Sequence, residues 1–156
     1  MEILHKLESS WSWEDSINRN AIRIGDQVKC QLTGKVDGVF TATVQRIDDR
    51  GILFMFDDCI CELPRKGLIE ALATEFCGDV KLELPTFGMI FGHDHPRYSE
   101  FEADDDEQLP LMKNVRNRIS VFNGELDWYW LKNRCKQSAT NFVFVNNYGF
   151  ATNDYA

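Results

Sequence analysis

The sequence lacks the short motifs by which many enzymes and nucleotide-binding proteins are recognised. Its 156 residues contain no G-x-G-x-x-G, no P-loop, no G-x-S-x-G and no H-E-x-x-H. The first two motifs hold phosphate groups, the third presents a catalytic serine, and the fourth binds zinc. Their absence indicates a protein that is not an enzyme and that uses no cofactor.

Long apolar runs are also absent. No stretch reaches the roughly 20 apolar residues of a transmembrane helix. The first 15 residues, MEILHKLESSWSWED, lack the basic start and apolar core of a secretory signal. The five cysteines are odd in number and mostly sit in apolar stretches, which is typical of reduced core thiols. We therefore expect a cytoplasmic protein that does not contact membranes.

Positive charge is scarce in one stretch of the chain. The net charge is −8, and residues 93–107 hold seven carboxylates against Arg97 alone, a net −6 of that total. Such a surface repels nucleic acid and attracts a basic protein. The sequence therefore predicts an acidic loop over residues 93–110 whose carboxylates bind a basic protein partner, and no direct contact with nucleic acid. The seven residues are Asp94, Glu100, Glu102, Asp104, Asp105, Asp106 and Glu107.

Most apolar periodicities in the chain are those of strands. Residues 28–33 and 39–45 alternate apolar and polar side chains and are separated by glycines, which predicts a hairpin. Residues 52–56, ILFMF, have no polar face and predict a central strand covered on both sides. Residues 127–132, 141–146 and the end of the chain predict further strands, joined by an Asn/Gly turn. Together with residues 52–56, these strands are expected to bury Phe54, Phe56, Phe142, Phe144 and Trp130.

Two helices are predicted. Residues 66–76 place apolar side chains at helical spacing, and Gly78 can end that helix. Thr86 can cap a short helical turn that Gly92 ends. The prediction is a single compact α+β domain over residues 21–156, β-rich, with an N-terminal hairpin, one or two short helices and an N-terminal tail over residues 1–20.

Four segments together resemble a family of small domains found in bacteria, prophages and mobile elements. They are IRIGDQVKCQL with ILFMFDDCI, then LPTFGMIFG, then DDDEQLPLMKNVRNRIS, and DWYWLKNR with SATNFVFVNNYGFATNDYA. The family's C-terminal part is similar to C-type-lectin-like domains of the formylglycine-generating-enzyme type. The resemblance implies a C-type-lectin-like C-terminal part and a bacterial host cell. The family's usual closing strand, a Gly-Val-Arg-Pro segment, is absent here. Three alternatives follow: the chain is truncated, it is a natural short form, or a second copy of the chain completes the sheet. The family resemblance implies no catalytic residue.

His93 and His95 stand before the acidic run and are candidate metal ligands. Zinc needs three or four converging ligands, and two histidines on one loop supply at most two. In an extended chain their side chains would point to opposite sides. The three consecutive aspartates lack the alternation and the glycine of a calcium loop. The sequence therefore favours a solvated acidic loop over a metal site.

Cys59, His93 and Asp94 could in principle form a nucleophilic triple. No catalytic signature surrounds Cys59, and any chain of this size offers such a combination. The favoured interpretation is that Cys59 is a small core side chain.

Three tryptophans, Trp11, Trp13 and Trp128, are candidate contact residues. Trp128 and Trp130 lie on one predicted strand; Trp130 is expected in the core, and the pattern leaves Trp128 open between core and surface. Trp11 and Trp13 stand in a polar tail and could anchor that tail to the domain or to a partner.

Two classes of function follow, with an enzyme of unknown type as a third. The first is a non-catalytic binding protein, in its most concrete form a phage or mobile-element inhibitor of a host nucleic-acid-binding factor. It would act in the manner of an anti-CRISPR protein, through acidic charge mimicry. The second is a lectin-like module that binds a carbohydrate or a peptide through its aromatic face.

Overall fold

The computed structural model describes residues 2–3, 22–34, 36–62, 64–74 and 82–155. Trp11, Trp13, Cys77 and the predicted helix end at Gly78 lie outside these ranges. Within the predicted tail, Glu2 and Ile3 form a two-residue strand. No helix among the described residues has the length and apolar character to span a bilayer.

The N-terminal sheet contains four antiparallel strands in sequence order: β1 (Glu2–Ile3), β2 (Gln27–Thr33), β3 (Asp37–Asp48) and β4 (Gly51–Phe56). The predicted hairpin is β2 and β3, with Cys30 opposite Phe40 and Val28 opposite Ala42. This register puts the apolar side chains of both strands on one face, because successive residues of a strand point to opposite faces.

The strand formed by ILFMF occupies a different place from the one predicted. Within the described residues β4 pairs only with β3, so it is an edge strand and not the central one. Its side chains are half-buried along the whole strand. Leu53 and Met55 pack against the main core, and Phe56 packs against a smaller cluster around Cys30 and Leu32. The strand is apolar on both faces because each face meets a different cluster.

Among the described residues that follow β4, the chain forms two helices and three 3-10 turns. The helices are α1 (Arg65–Thr74) and α2 (Phe87–Phe91), and Thr86 and Gly92 cap α2 as the sequence predicts. The 3-10 turns cover Tyr98–Glu100, Pro110–Lys113 and Val115–Arg118.

The remaining strands form a hairpin and a three-stranded sheet. The hairpin joins β5 (Ser120–Phe122) to β6 (Glu125–Asp127). The C-terminal sheet is an antiparallel meander of β7 (Tyr129–Arg134), β8 (Asn141–Val145) and β9 (Ala151–Tyr155). The predicted α+β, β-rich class is confirmed.

The main core lies between α2, the 3-10 turns and the C-terminal sheet, and its buried side chains are Phe87, Ile90, Phe91, Phe101, Leu109, Met112, Leu131, Val143 and Val145. Trp130 is buried, as expected. Phe54, Phe56, Phe142 and Phe144, which the pattern also places in the interior, are only half-buried. Their rings line a cleft or contact neighbouring side chains. A strand pattern does not distinguish these environments from a closed core.

Both edges of the C-terminal sheet are occupied by neighbouring backbone or side chains. On β7, the Lys132 amide donates to the Pro85 carbonyl at 2.9 Å, and the Arg134 carbonyl accepts from the Glu102 amide at 2.8 Å. On β9, the Arg97 guanidinium donates to the Ala151 carbonyl at 2.8 Å. A second copy of the chain that completed this sheet would have to displace these groups.

Candidate functional site

The acidic run is built into the fold at two positions: Asp104 and Asp106 are partly buried, whereas the other five predicted contact residues are exposed. The Asp104 side chain is only 10% exposed. It accepts hydrogen bonds from the Gly88 amide at 3.0 Å, from Asn133 Nδ2 at 2.8 Å and from the Asp106 amide at 3.0 Å. Asp104 is therefore a structural carboxylate.

These bonds complete the N-terminus of α2. The first amides of a helix have no partner within the helix. Here Asn133 Oδ1 accepts from the Phe87 amide, Asp104 from the Gly88 amide and Thr86 Oγ1 from the Met89 amide. Asp106 joins the same network by accepting from Thr86 Oγ1 at 2.9 Å. A carboxylate at this position also interacts favourably with the positive end of the helix dipole.

Burial alone would raise the pKa of Asp104. Hydrogen bonds from Asn133, His93 and two backbone amides outweigh that effect and hold the pKa of this carboxyl below its ordinary value. The carboxylate is therefore ionised at neutral pH, as its role as a hydrogen-bond acceptor requires.

Gly88 allows the acidic run to approach α2. A Cβ atom added at this position would collide with the Asp104 carboxylate, the Asp106 carbonyl and the His93 ring. The close approach requires glycine, because any side chain would push the run away from the helix.

Two further carboxylates of the run form surface ion pairs. Glu100 pairs with Arg97 at 2.6 Å, and Glu102 pairs with Arg134 through two nitrogens of its guanidinium. Asp94, Asp105 and Glu107 are exposed, and none of them has a hydrogen bond or ion pair within the described part of the chain. Of the seven predicted contact residues, these three leave their charge unpaired.

The two loop histidines have separate surroundings. The His93 ring stacks on Tyr98, with centroids 4.5 Å apart, and its Nε2 lies 3.1 Å from Asp104 Oδ1. His95 Nδ1 accepts from the Arg97 amide, and its ring packs on Phe87. Burial, with Arg118 and Arg97 nearby, lowers the pKa of His95. Across the described ranges, no three histidine, cysteine or acidic side chains are grouped to hold a metal ion.

A cleft of about 610 Å³ is lined by β4 and by residues of the C-terminal half of the molecule. One wall is the apolar strand β4, and α1 contributes Leu68 and Leu72. Met89, Met112 and the tryptophans at 128 and 130 form other walls. This volume lies within the range of ligand pockets in proteins, which are also mostly apolar.

Two buried polar atoms on the cleft residues have no hydrogen-bond partner. Gln45 is 3% exposed and Trp130 is 6% exposed. Gln45 Oε1, an acceptor, and Trp130 Nε1, a donor, are both unpartnered. Buried polar atoms in native proteins are usually paired, and each unpaired one costs about 1–3 kcal/mol. Both atoms are closed off from solvent, so they lie within the protein rather than on the surface of the cleft.

The Cys59 thiol also lines the cleft. Its Sγ lies 3.3 Å from Ser120 Oγ and 3.8 Å from the Trp128 carbonyl. Burial raises the pKa of Cys59, and the nearby charges of Asp127 and Asp58 act in the same direction. The thiol is therefore protonated at neutral pH and is a poor nucleophile. His93 contacts Tyr98 and Asp104 instead, so the structure gives Cys59 and His93 different partners.

Trp128 stands partly at the surface. It is 44% exposed, and its ring contacts those of Trp130 and Phe144, each at a centroid distance of 5.1 Å. The open question about this residue is thereby answered: one part of the ring packs and another part faces solvent at the cleft.

Sequence reasoning missed the contributions of Gln45, Ser120 and Met89. Each looks ordinary in its own strand or helix, and only the fold brings them to one cleft. The one available signal was ILFMF, because a strand with two apolar faces needs two apolar surroundings.

No family model, no curated protein and no solved structure matches the chain. The resemblance to prophage domains and to C-type-lectin-like domains therefore stays a prediction.

Proposed function

We propose that the protein is a non-catalytic binding protein whose ligand occupies the cleft. The observation that carries this proposal is the apolar cleft of about 610 Å³, whose lining also includes exposed polar side chains such as Asn117. Sites for ligands are mostly apolar, with a small number of polar groups that fix orientation. The arrangement favours the ligand-binding class over charge mimicry.

A binding role is also supported by the chemistry of the cleft. The thiol that lines it has a raised pKa, and its partner is the Ser120 hydroxyl rather than a base. Nucleophilic catalysis by cysteine needs a thiolate or an adjacent base. A site that holds a ligand without reacting with it fits these groups better.

Binding of anilinonaphthalene sulfonate, a dye that fluoresces in apolar sites, tests the proposal. We expect the wild-type protein to bind the dye. Cys59→Phe and Met89→Trp, which fill the cleft from two positions, should abolish binding, and Cys59→Ser should retain it. Melting temperatures identify any variant that fails to fold. Two folded, blocked variants that bind the dye like wild type would contradict a cleft site.

A second candidate function is charge mimicry by the acidic run, directed at a basic, nucleic-acid-binding host factor in the manner of an anti-CRISPR protein. The observation that favours it is the set of three exposed, unpaired carboxylates, Asp94, Asp105 and Glu107. Rim charges act mainly on association rate and give salt-dependent binding.

The triple variant Asp94→Asn, Asp105→Asn, Glu107→Gln tests this second function. Association rates with a partner captured from a host lysate, measured at low and high salt, should fall in the variant at low salt only. Unchanged rates at both salt concentrations would reject charge mimicry.

A further inference from the structure

Three carboxylates at the cleft lack a cationic partner. Asp58, Glu62 and Asp127 line the cleft, and no ion pair joins them within the described residues. Asp58 and Glu62 are exposed, and Asp127 is half-buried with Oδ1 accepting from the Trp128 amide at 2.8 Å. Two other acidic residues of the lining already have partners: Asp57 accepts from Gln27, and Glu83 pairs with Lys132.

The basic residues of the cleft offset this charge only in part. Arg118 turns toward the protein, because its Nε donates to the Met112 carbonyl at 2.7 Å and its guanidinium lies 5.2 Å from the Phe91 ring centroid. Arg116 is exposed. The three carboxylates nevertheless outnumber the two guanidinium groups of the lining, so the rim of the cleft favours a cationic ligand.

The mixed lining of the cleft specifies a second property of the ligand. Beside the apolar wall of β4, the cleft presents exposed polar side chains, among them Asn117 and Arg116. A peptide segment combines apolar side chains with backbone N–H donors and carbonyl acceptors, so it can contact both kinds of surface. A hydrocarbon chain could contact only the apolar wall.

We propose that the ligand of the cleft is a peptide segment with an apolar centre flanked by lysine or arginine. This inference rests on the proposed function and names the partner of the same site. The apolar side chains of the segment occupy the space between β4 and Trp130, and its cations pair with Asp58, Glu62 and Asp127.

The test uses short synthetic peptides on the full chain. The first has alternating leucine and phenylalanine between paired lysines, the second replaces the lysines with glutamates, and the third keeps the lysines around a glycine and serine centre. Affinities are measured by calorimetry at two salt concentrations. We expect the first peptide to bind more tightly than either of the others, and to lose affinity at high salt.

Two charge variants with the same change in net charge locate the contact. The rim variant is Asp58→Asn, Glu62→Gln, Asp127→Asn, and the amide side chain introduced by the last substitution keeps an oxygen that can accept from the Trp128 amide. The control is the acidic-run variant Asp94→Asn, Asp105→Asn, Glu107→Gln. Loss of three partly exposed ion pairs should weaken binding of the first peptide by about tenfold in the rim variant, and the control should bind like wild type.

Each outcome separates this inference from the proposed function. If the lysine and glutamate peptides bind equally, or if only the control variant loses affinity, the cationic partner is wrong. If the dye binds in the cleft but none of the peptides does, the peptide is wrong and the binding role of the cleft stands. If neither dye nor peptide binds, both proposals are overturned.

Discussion

At the scale of single residues, Asp104 shows that an acidic residue in an acidic run can be structural. Its neighbours Asp105 and Glu107 are exposed, yet Asp104 is turned inward to the amides of α2 and to Asn133. The difference arises because the chain around residue 104 is held close to Gly88. A side chain at position 88 would not fit in this contact.

Asp104→Ala should destabilise the protein by about 3 kcal/mol, because the buried Gly88 amide and Asn133 amide would lose their acceptor. Chemical denaturation of the variant and wild type measures the difference. The exposed neighbour provides the control: Asp105→Ala should change the free energy of unfolding by less than about 0.5 kcal/mol. Equal effects of the two substitutions would contradict the anchoring role.

The depressed pKa of Asp104 makes part of the stability pH-dependent. A carboxyl whose pKa is lower in the folded than in the unfolded state contributes stability above its unfolded pKa and loses it as pH falls through the folded pKa. We expect the wild type to lose stability on acidification below the ordinary aspartate value of 3.8. Asp104→Asn should lose less over the same range. Parallel pH profiles of unfolding free energy for the two proteins would show that another group is responsible.

At the scale of secondary-structure elements, packing gives phenylalanines that look alike in sequence different degrees of burial. Phe101 lies in the short segment before Glu102, pairs with Cys135 in an isolated bridge and is 1% exposed. Phe144 lies on an apolar strand and is half-buried. The strand pattern favours Phe144 as the core residue, and the structure gives that place to Phe101.

Phe101→Ala should therefore destabilise the protein by about 3 to 5 kcal/mol, the range for a fully buried aromatic side chain. Phe144→Ala should have a smaller effect, because part of the ring is already exposed to solvent. Thermal and chemical unfolding of both variants provide the comparison. A larger loss in Phe144→Ala would place the core on the other face of the C-terminal sheet.

Arg97 protects the outer edge of β9. Its guanidinium donates to the Ala151 carbonyl and to Asn153 Oδ1, and Glu100 holds it there. Exposed strand edges promote pairing between chains. Arg97→Ala should therefore increase self-association, measured by light scattering over a range of concentrations. Arg134→Ala, which removes a surface ion pair with Glu102 without freeing a strand edge, should associate no more than wild type.

At the scale of the whole molecule, charge and shape point to different surfaces. Asp104 and Asp106 of the acidic run accept hydrogen bonds within the fold. The cleft, in contrast, is lined by apolar side chains from β4, α1, α2 and β7. Shape therefore identifies the stronger candidate site, and charge contributes at its rim.

The stability of the whole molecule should not depend on a metal ion. The described histidines contact aromatic rings, a backbone amide and Asp104, so no binding free energy at these positions is coupled to folding. A chelator should leave the melting temperature unchanged. A fall of many degrees that zinc or calcium restores would contradict this expectation.

The sequence by itself determined the local elements. Alternation predicts the β2–β3 hairpin, and aromatic and apolar runs predict the C-terminal strands. Thr86 with Gly92 predicts the limits of α2, because strand faces and helix caps depend on neighbouring residues. Only the tertiary structure decided that β4 is an edge strand and that Asp104 is anchored. It also decided that Gln45 and Trp130 share a cleft, since that depends on how distant segments pack, and no local pattern records it.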